Sequence, residues 1–87
     1  MNLSFVNGGW ADYQWWILNS DKKSLNRLAK LIDDILRNGY SGIGKPEPLK
    51  GDKSGWWSRR IDDKHRIVYR IVKDTVEIAQ CKNHYDD

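Results

Sequence analysis

The chain has 87 residues, a single cysteine and a formal net charge of +3, which fits one domain over residues 1–87 with roughly 60–65% of its chain surface removable from water. No apolar run approaches the roughly 18 residues of a membrane span, and polar Asn2, Ser4 and Asn7 stand where a signal peptide would turn basic and then apolar, so a soluble, cytoplasmic protein without a membrane partner is expected. The lone Cys81 excludes an intrachain disulfide and denies a metal site its usual thiolates.

Leu3 and Phe5 alternate with polar neighbours like a short half-buried strand, and Gly8-Gly9 permits a sharp turn after it. Trp10, Tyr13, Trp16 and Ile17 then recur at three and four residue spacing, the apolar face of a first helix. Asp21 suits the N-cap of a second helix. In that helix Leu25, Leu28, Leu31, Ile32, Ile35 and Leu36 form the buried stripe, while Lys23, Arg27, Lys30, Asp34 and Arg37 face water and Gly39 closes the end.

From Tyr40 to Ser54 the sequence reads as a loop, broken by Gly42, Gly44, Pro46, Pro48 and Gly51. About 15 residues without regular structure is long for a small domain, and such loops tend to carry function. Three strands are expected after it, over Trp56 to Ile61, His65 to Val72 and Thr75 to Cys81, with Cys81 as a small buried hydrophobe. Their short connections imply an antiparallel meander, whose apolar face needs the helices to cover it. The expected fold is therefore α+β, two N-terminal helices on an antiparallel sheet in the order β-α-α-β-β-β.

Charge is uneven along the chain. Residues 45–70 carry eight Lys/Arg against four Asp/Glu, whereas residues 71–87 carry two against four. A basic block of this kind is the footprint of a protein that meets phosphates, although solvated strand faces account for some of it. Inside the block lies Lys45-Pro46-Glu47-Pro48-Leu49-Lys50. The two prolines lock their own φ and hold Glu47 extended, so a carboxylate leaves a stiff stem among cations. Taken alone, that is also what a stiffened solvated loop looks like.

Arg59 and Arg60 are neighbours on one expected strand and must point to opposite faces, with Arg66 and Arg70 on the next strand. A buried arginine requires a carboxylate or an anionic ligand, and Asp62, Asp63 and Glu77 are the nearby structural partners. His84-Tyr85 follows the last strand, where a histidine is usually an ordinary exposed residue, yet an imidazole beside basic strands also suits proton transfer at neutral pH. His65 reads as a turn residue. Two histidines 19 positions apart without clustered carboxylates disfavour a metal site.

Four ordered segments carry a family resemblance: Gly44-Lys45-Pro46-Glu47-Pro48-Leu49-Lys50, Ser54-Gly55-Trp56-Trp57-Ser58-Arg59-Arg60-Ile61, His65-Arg66-Ile67-Val68-Tyr69 and Cys81-Lys82-Asn83-His84-Tyr85. Together with the aromatic helix Trp10 to Trp16 they resemble the YoeB toxins of bacterial toxin–antitoxin systems, within the RelE/ParE superfamily. The likeness spans nearly the whole chain. It departs at Trp56-Trp57, where Phe-Trp is common, and at Asp86-Asp87 beyond the usual terminal tyrosine.

The resemblance implies a RelE-like microbial ribonuclease fold and a ribosome-dependent endoribonuclease that cuts messenger RNA in the decoding site without a metal or other cofactor. Carried over, Glu47 corresponds to the general base, His84 to the general acid and Arg66 to the stabiliser of the phosphate. Lys50, Arg60 and Tyr85 correspond to residues that support or contact the RNA. The implied partners are the 70S ribosome with its mRNA and a YefM-like antitoxin, with a homodimer as one assembly open to it. Two other readings stand beside this one. A non-enzymatic ParE-like toxin that poisons DNA gyrase shares the fold but typically lacks the Glu and the His-Tyr pair, and a basic RNA-binding module without catalysis accounts for charge and tryptophans alone.

Overall fold

In the computed structural model, which describes residues 1–83, seven elements follow one another: β1 (Asn2–Phe5), α1 (Gly9–Asn19), α2 (Lys22–Asn38), β2 (Glu47–Pro48), β3 (Trp57–Arg60), β4 (Arg66–Val72) and β5 (Thr75–Gln80). The strands form one sheet in the order β1-β5-β4-β3-β2. As the short connections require, β3, β4 and β5 run as an antiparallel meander. β1 lies parallel to β5, with Leu3 opposite Val76 and Phe5 opposite Ile78, so the sheet is mixed rather than wholly antiparallel. The two helices between β1 and the rest of the sheet supply the long crossover that a parallel pair needs.

The helices begin and end where their sequence dictates. The Asp21 carboxylate accepts from the Ser24 N–H at 2.8 Å, satisfying an orphan donor of α2, and Gly39 closes that helix at φ +68°. Position 9, where α1 starts, has to be glycine, since a Cβ there would lie 2.1 Å from the Ile78 carbonyl oxygen of β5. Leu28, Leu31, Ile32 and Ile35 of α2 and Trp16 of α1 bury against Ile67, Tyr69, Val76, Ile78 and Cys81. Of the aromatic face expected for α1, only Trp16 is fully buried. Trp10 and Ile17 are half exposed, Trp10 packing with Phe5 and Tyr13 in an aromatic cluster at the sheet edge.

The stretch from residue 40 to 54 is more ordered than its composition suggests. Glu47 and Pro48 pair with Ser58 and Trp57 as the edge strand β2, and Gly51–Lys53 form one 3₁₀ turn. An edge strand is where proline is tolerated, since half of its backbone groups face away from the ladder. Trp56 and Trp57 divide between the two faces: Trp57 stacks on Tyr40 at 4.5 Å on the helix side, while Trp56 lies under the Arg70 guanidinium at 4.4 Å. No helix among the described residues is long and apolar enough to cross a membrane.

Candidate active site

The face of the sheet that the helices leave uncovered gathers the chemistry. β2 sets Glu47 across from Ser58, and the pairing of β3 with β4 sets Arg60 across from Arg66. Cross-strand partners share a face, so Glu47, Ser58, Arg60 and Arg66 leave the sheet on the same side. Arg66 donates through one guanidinium nitrogen to Glu47 Oε1 at 2.6 Å and to the buried Ser58 Oγ at 3.2 Å. Both charged partners remain about half exposed, so water screens the pair and it contributes roughly 0–1 kcal/mol. An incoming anion can therefore take Arg66 from Glu47 at little cost.

No carboxylate among the described residues forms an ion pair with Arg60, which is exposed. Two like charges directly across a strand pair are destabilising. Their placement on one open face is the arrangement expected of an anion site. Lys50 is exposed just past β2 and opens the 3₁₀ turn. No hydrogen bond or ion pair joins it to Glu47 or Arg66. Beside Arg66 a hollow of about 360 Å³ is lined by Asp63, Lys64, Gln80 and Asn83. A larger hollow of about 490 Å³ lies among Lys22, Lys23, Asn26, Arg27 and Lys30 on α2. It contains no acid or base pair and is the space between long side chains. His84 and Tyr85 lie outside the described residues.

Arg59 takes the opposite face and a different task. Its side chain is wholly buried and makes five hydrogen bonds: Nε to Tyr69 Oη, and the two terminal nitrogens to Asp34 Oδ2 and to the carbonyls of Ile43, Gly39 and Ser41. All five guanidinium protons are thus accounted for. The charge holds the loop after α2 in place and is unavailable to a ligand. Asp34, expected to face water, is instead turned toward this arginine. The Arg59 hydrogen bond, helped by the Ile43 N–H and by Asn38, holds its carboxyl below the usual carboxylate range. Arg70 pairs with Glu77 at 2.7 Å, one of the structural partnerships the sequence suggested.

The chain leading to His84 is fastened from three directions. Cys81 receives the Trp16 indole N–H on its carbonyl at 2.7 Å and gives its own N–H to the buried Asp12 carboxylate at 3.1 Å. The Lys82 ammonium lies 5.1 Å from the Trp15 ring centre. Asn83 donates its N–H to His65 Nδ1 at 2.9 Å. His65 is therefore a packed, bonded residue and not merely part of a turn. Ser58, Asp34 and His65 are the residues that sequence reasoning missed, and only the strand register and tertiary packing disclose them. Among the described residues no three His, Cys, Asp or Glu side chains converge as metal ligands would.

Residues 5–85 match the family model described as YoeB-like toxin of bacterial type II toxin-antitoxin system. The chain belongs to the YoeB-like toxin family. It is 52% identical over 85 residues to Toxin YoeB of Streptomyces coelicolor, covering 98% of this chain and all of that one. Its fold is similar to the YoeB/ParE toxin from Agrobacterium tumefaciens, with a TM-score of 0.89, 41% identity and coverage of 98% and 100% of the two chains. It is likewise similar to a chain of the YoeB-YefM complex from Staphylococcus aureus, at a TM-score of 0.87, 41% identity and 98% of each chain. This YoeB-family chain has two helices and a five-stranded mixed sheet, with the Glu47–Arg66 pair on the open face.

Proposed function

We propose that this toxin is a ribosome-dependent endoribonuclease that cuts messenger RNA in the decoding site by attack of the RNA's own 2′-hydroxyl. The observation that carries the reading is the Glu47–Arg66 pair, a carboxylate on a proline-stiffened edge strand in contact with an exposed guanidinium. A phosphodiester arriving on the open face draws Arg66 to its non-bridging oxygens and frees Glu47 to accept the 2′-hydroxyl proton. The 2′-oxygen then bonds to phosphorus, Arg66 faces the charge that develops, and the bond to the 5′-oxygen breaks as His84 delivers a proton to it. Lys50, Arg60 and Tyr85 support the RNA strand. The nucleophile belongs to the substrate, so no metal is needed to activate water.

The same reading supplies the partners. The basic open face suits an acidic, disordered segment of a YefM-like antitoxin, which folds on binding and covers or displaces His84-Tyr85. Incubation of a message with the purified chain, with and without 70S ribosomes, followed by mapping of cut sites, tests the assignment. Cleavage confined to ribosome-bound message is the expected result. Arrest of DNA gyrase in place of RNA cleavage would favour the ParE-like alternative.

A further inference from the structure

We infer that His65 is a positioning residue for the acid/base step, tying the strand that carries Arg66 to the chain that carries His84. The inference rests on the ribonuclease reading above. One hydrogen bond makes the tie: the Asn83 N–H donates to His65 Nδ1 at 2.9 Å. His65 directly precedes Arg66 and Asn83 directly precedes His84. The residue before the phosphate stabiliser thus holds the residue before the proton donor, across 18 positions of sequence.

Both ends of this link are braced. The His65 backbone is fixed by its N–H to Asp62 Oδ1 at 2.7 Å and by its carbonyl, which accepts from Ile61 at 2.9 Å. The imidazole stands edge-on to Trp16 with ring centres 5.0 Å apart and lies 5.5 Å from Trp15. Those same two tryptophans hold the other side of the link, Trp16 through the Cys81 carbonyl and Trp15 beneath the Lys82 ammonium. A ring nitrogen that accepts an N–H carries no proton, so the imidazole is the neutral Nε2–H tautomer. A phenylalanine would keep an aromatic ring beside the two tryptophans. What histidine adds is the acceptor aimed at Asn83.

Two substitutions separate acceptor from packing. His65→Phe keeps a ring and removes the acceptor; His65→Asn gives up the ring but places an amide oxygen near where Nδ1 stood. Amide hydrogen exchange at Asn83 and ¹⁵N shifts of the His65 ring report the link directly in the full chain. Single-turnover cleavage on ribosomes and ribosome affinity report its consequence. In His65→Phe the Asn83 amide should exchange faster and the cleavage rate should fall by about 10²-fold, the order expected of an ångström-scale misplacement, with ribosome affinity unchanged. His65→Asn should recover most of both losses. Wild-type cleavage by His65→Phe, or equal impairment of both variants with Asn83 still protected, would overturn the inference. An inactive wild-type chain would overturn the ribonuclease reading instead, and amide exchange would still decide whether His65 holds Asn83.

Discussion

The Arg59 guanidinium donates to the Asp34 carboxylate across the junction between α2 and the sheet, and through the carbonyls of Gly39, Ser41 and Ile43 it also holds the loop that leads to Glu47. A buried charge with five partners is therefore what allows a glycine-rich stretch to present β2 at the sheet edge. Removal of the arginine strands several carbonyls and a carboxylate at once. Arg59→Leu is expected to lower the melting temperature by roughly 10 °C or more, and the loss should appear equally in circular dichroism and calorimetry. Lysine should not rescue it, because one ammonium cannot reproduce the planar fork.

The same pair gives the fold a defined acid sensitivity. Arg59 holds the Asp34 carboxyl below its ordinary value of 3.8, so the folded state binds that proton less readily than the unfolded chain. The resulting stability is fully present above about pH 4 and is lost as pH falls through the lower folded value. Asp34→Asn should be less stable than wild type at neutral pH, and the two denaturation midpoints should converge as the solution is acidified. A constant gap between them down to pH 2 would show that the charge on Asp34 contributes nothing.

Much of this architecture is legible in residue order. The α2 stripe, its Asp21 and Gly39 caps and the β3-β4-β5 meander follow from period and turn chemistry, which are local. The parallel pairing of β1 with β5 is not local, and neither is the strand status of Glu47-Pro48, which exists only because β3 lies beside it. Adjacency on a strand told that Arg59 and Arg60 must part company. It did not tell which one would be buried, because that depends on Asp34 arriving from a helix 25 positions away. The Glu47 motif could be singled out because its prolines are unusual. His65 could not, since its role depends on Asn83 and on two tryptophans from α1.

Glu47→Gln and Arg66→Ala should both lose cleavage by about 10²-fold or more with the fold intact, since both side chains are half exposed and neither enters the core. For Arg66 the rate of bound message should suffer more than ribosome binding, because the charge it faces grows in the transition state. Pull-down with ribosomes and single-turnover kinetics separate the two quantities. Equal losses of binding and rate would reduce Arg66 to a docking contact.

Cys81 should behave as part of the core. Burial, with the Asp12 carboxylate as the lesser cause, pushes its thiol up to about 12 from an ordinary 9.0. The thiol therefore favours the folded state fully below pH 9.0, and that contribution fades as pH rises toward 12. At pH 8 an alkylating reagent should leave the native chain unmodified and label it only after guanidinium unfolding. Rapid labelling of the native chain would mean that the segment around Cys81 opens far more readily than its bonds to Trp16 and Asp12 suggest.

The cleavage products test the proposed chemistry independently of the family. If Glu47 takes the proton of the 2′-hydroxyl, the upstream fragment must end in a 2′,3′-cyclic phosphate or in the 3′-phosphate formed from it, and the downstream fragment must begin with a free 5′-hydroxyl. A message with hydrogen in place of the single 2′-hydroxyl at the cut position should bind nearly as well, because the phosphates that hold the strand are untouched, yet resist cleavage there. Chelation should leave bond breaking unaffected once the ribosome's own magnesium is maintained. Enzymatic end-labelling with and without prior phosphatase treatment distinguishes the termini. Recovery of 5′-phosphate ends, or cutting at the deoxy position, would require water as the nucleophile and would remove Glu47 and His84 from the roles proposed for them.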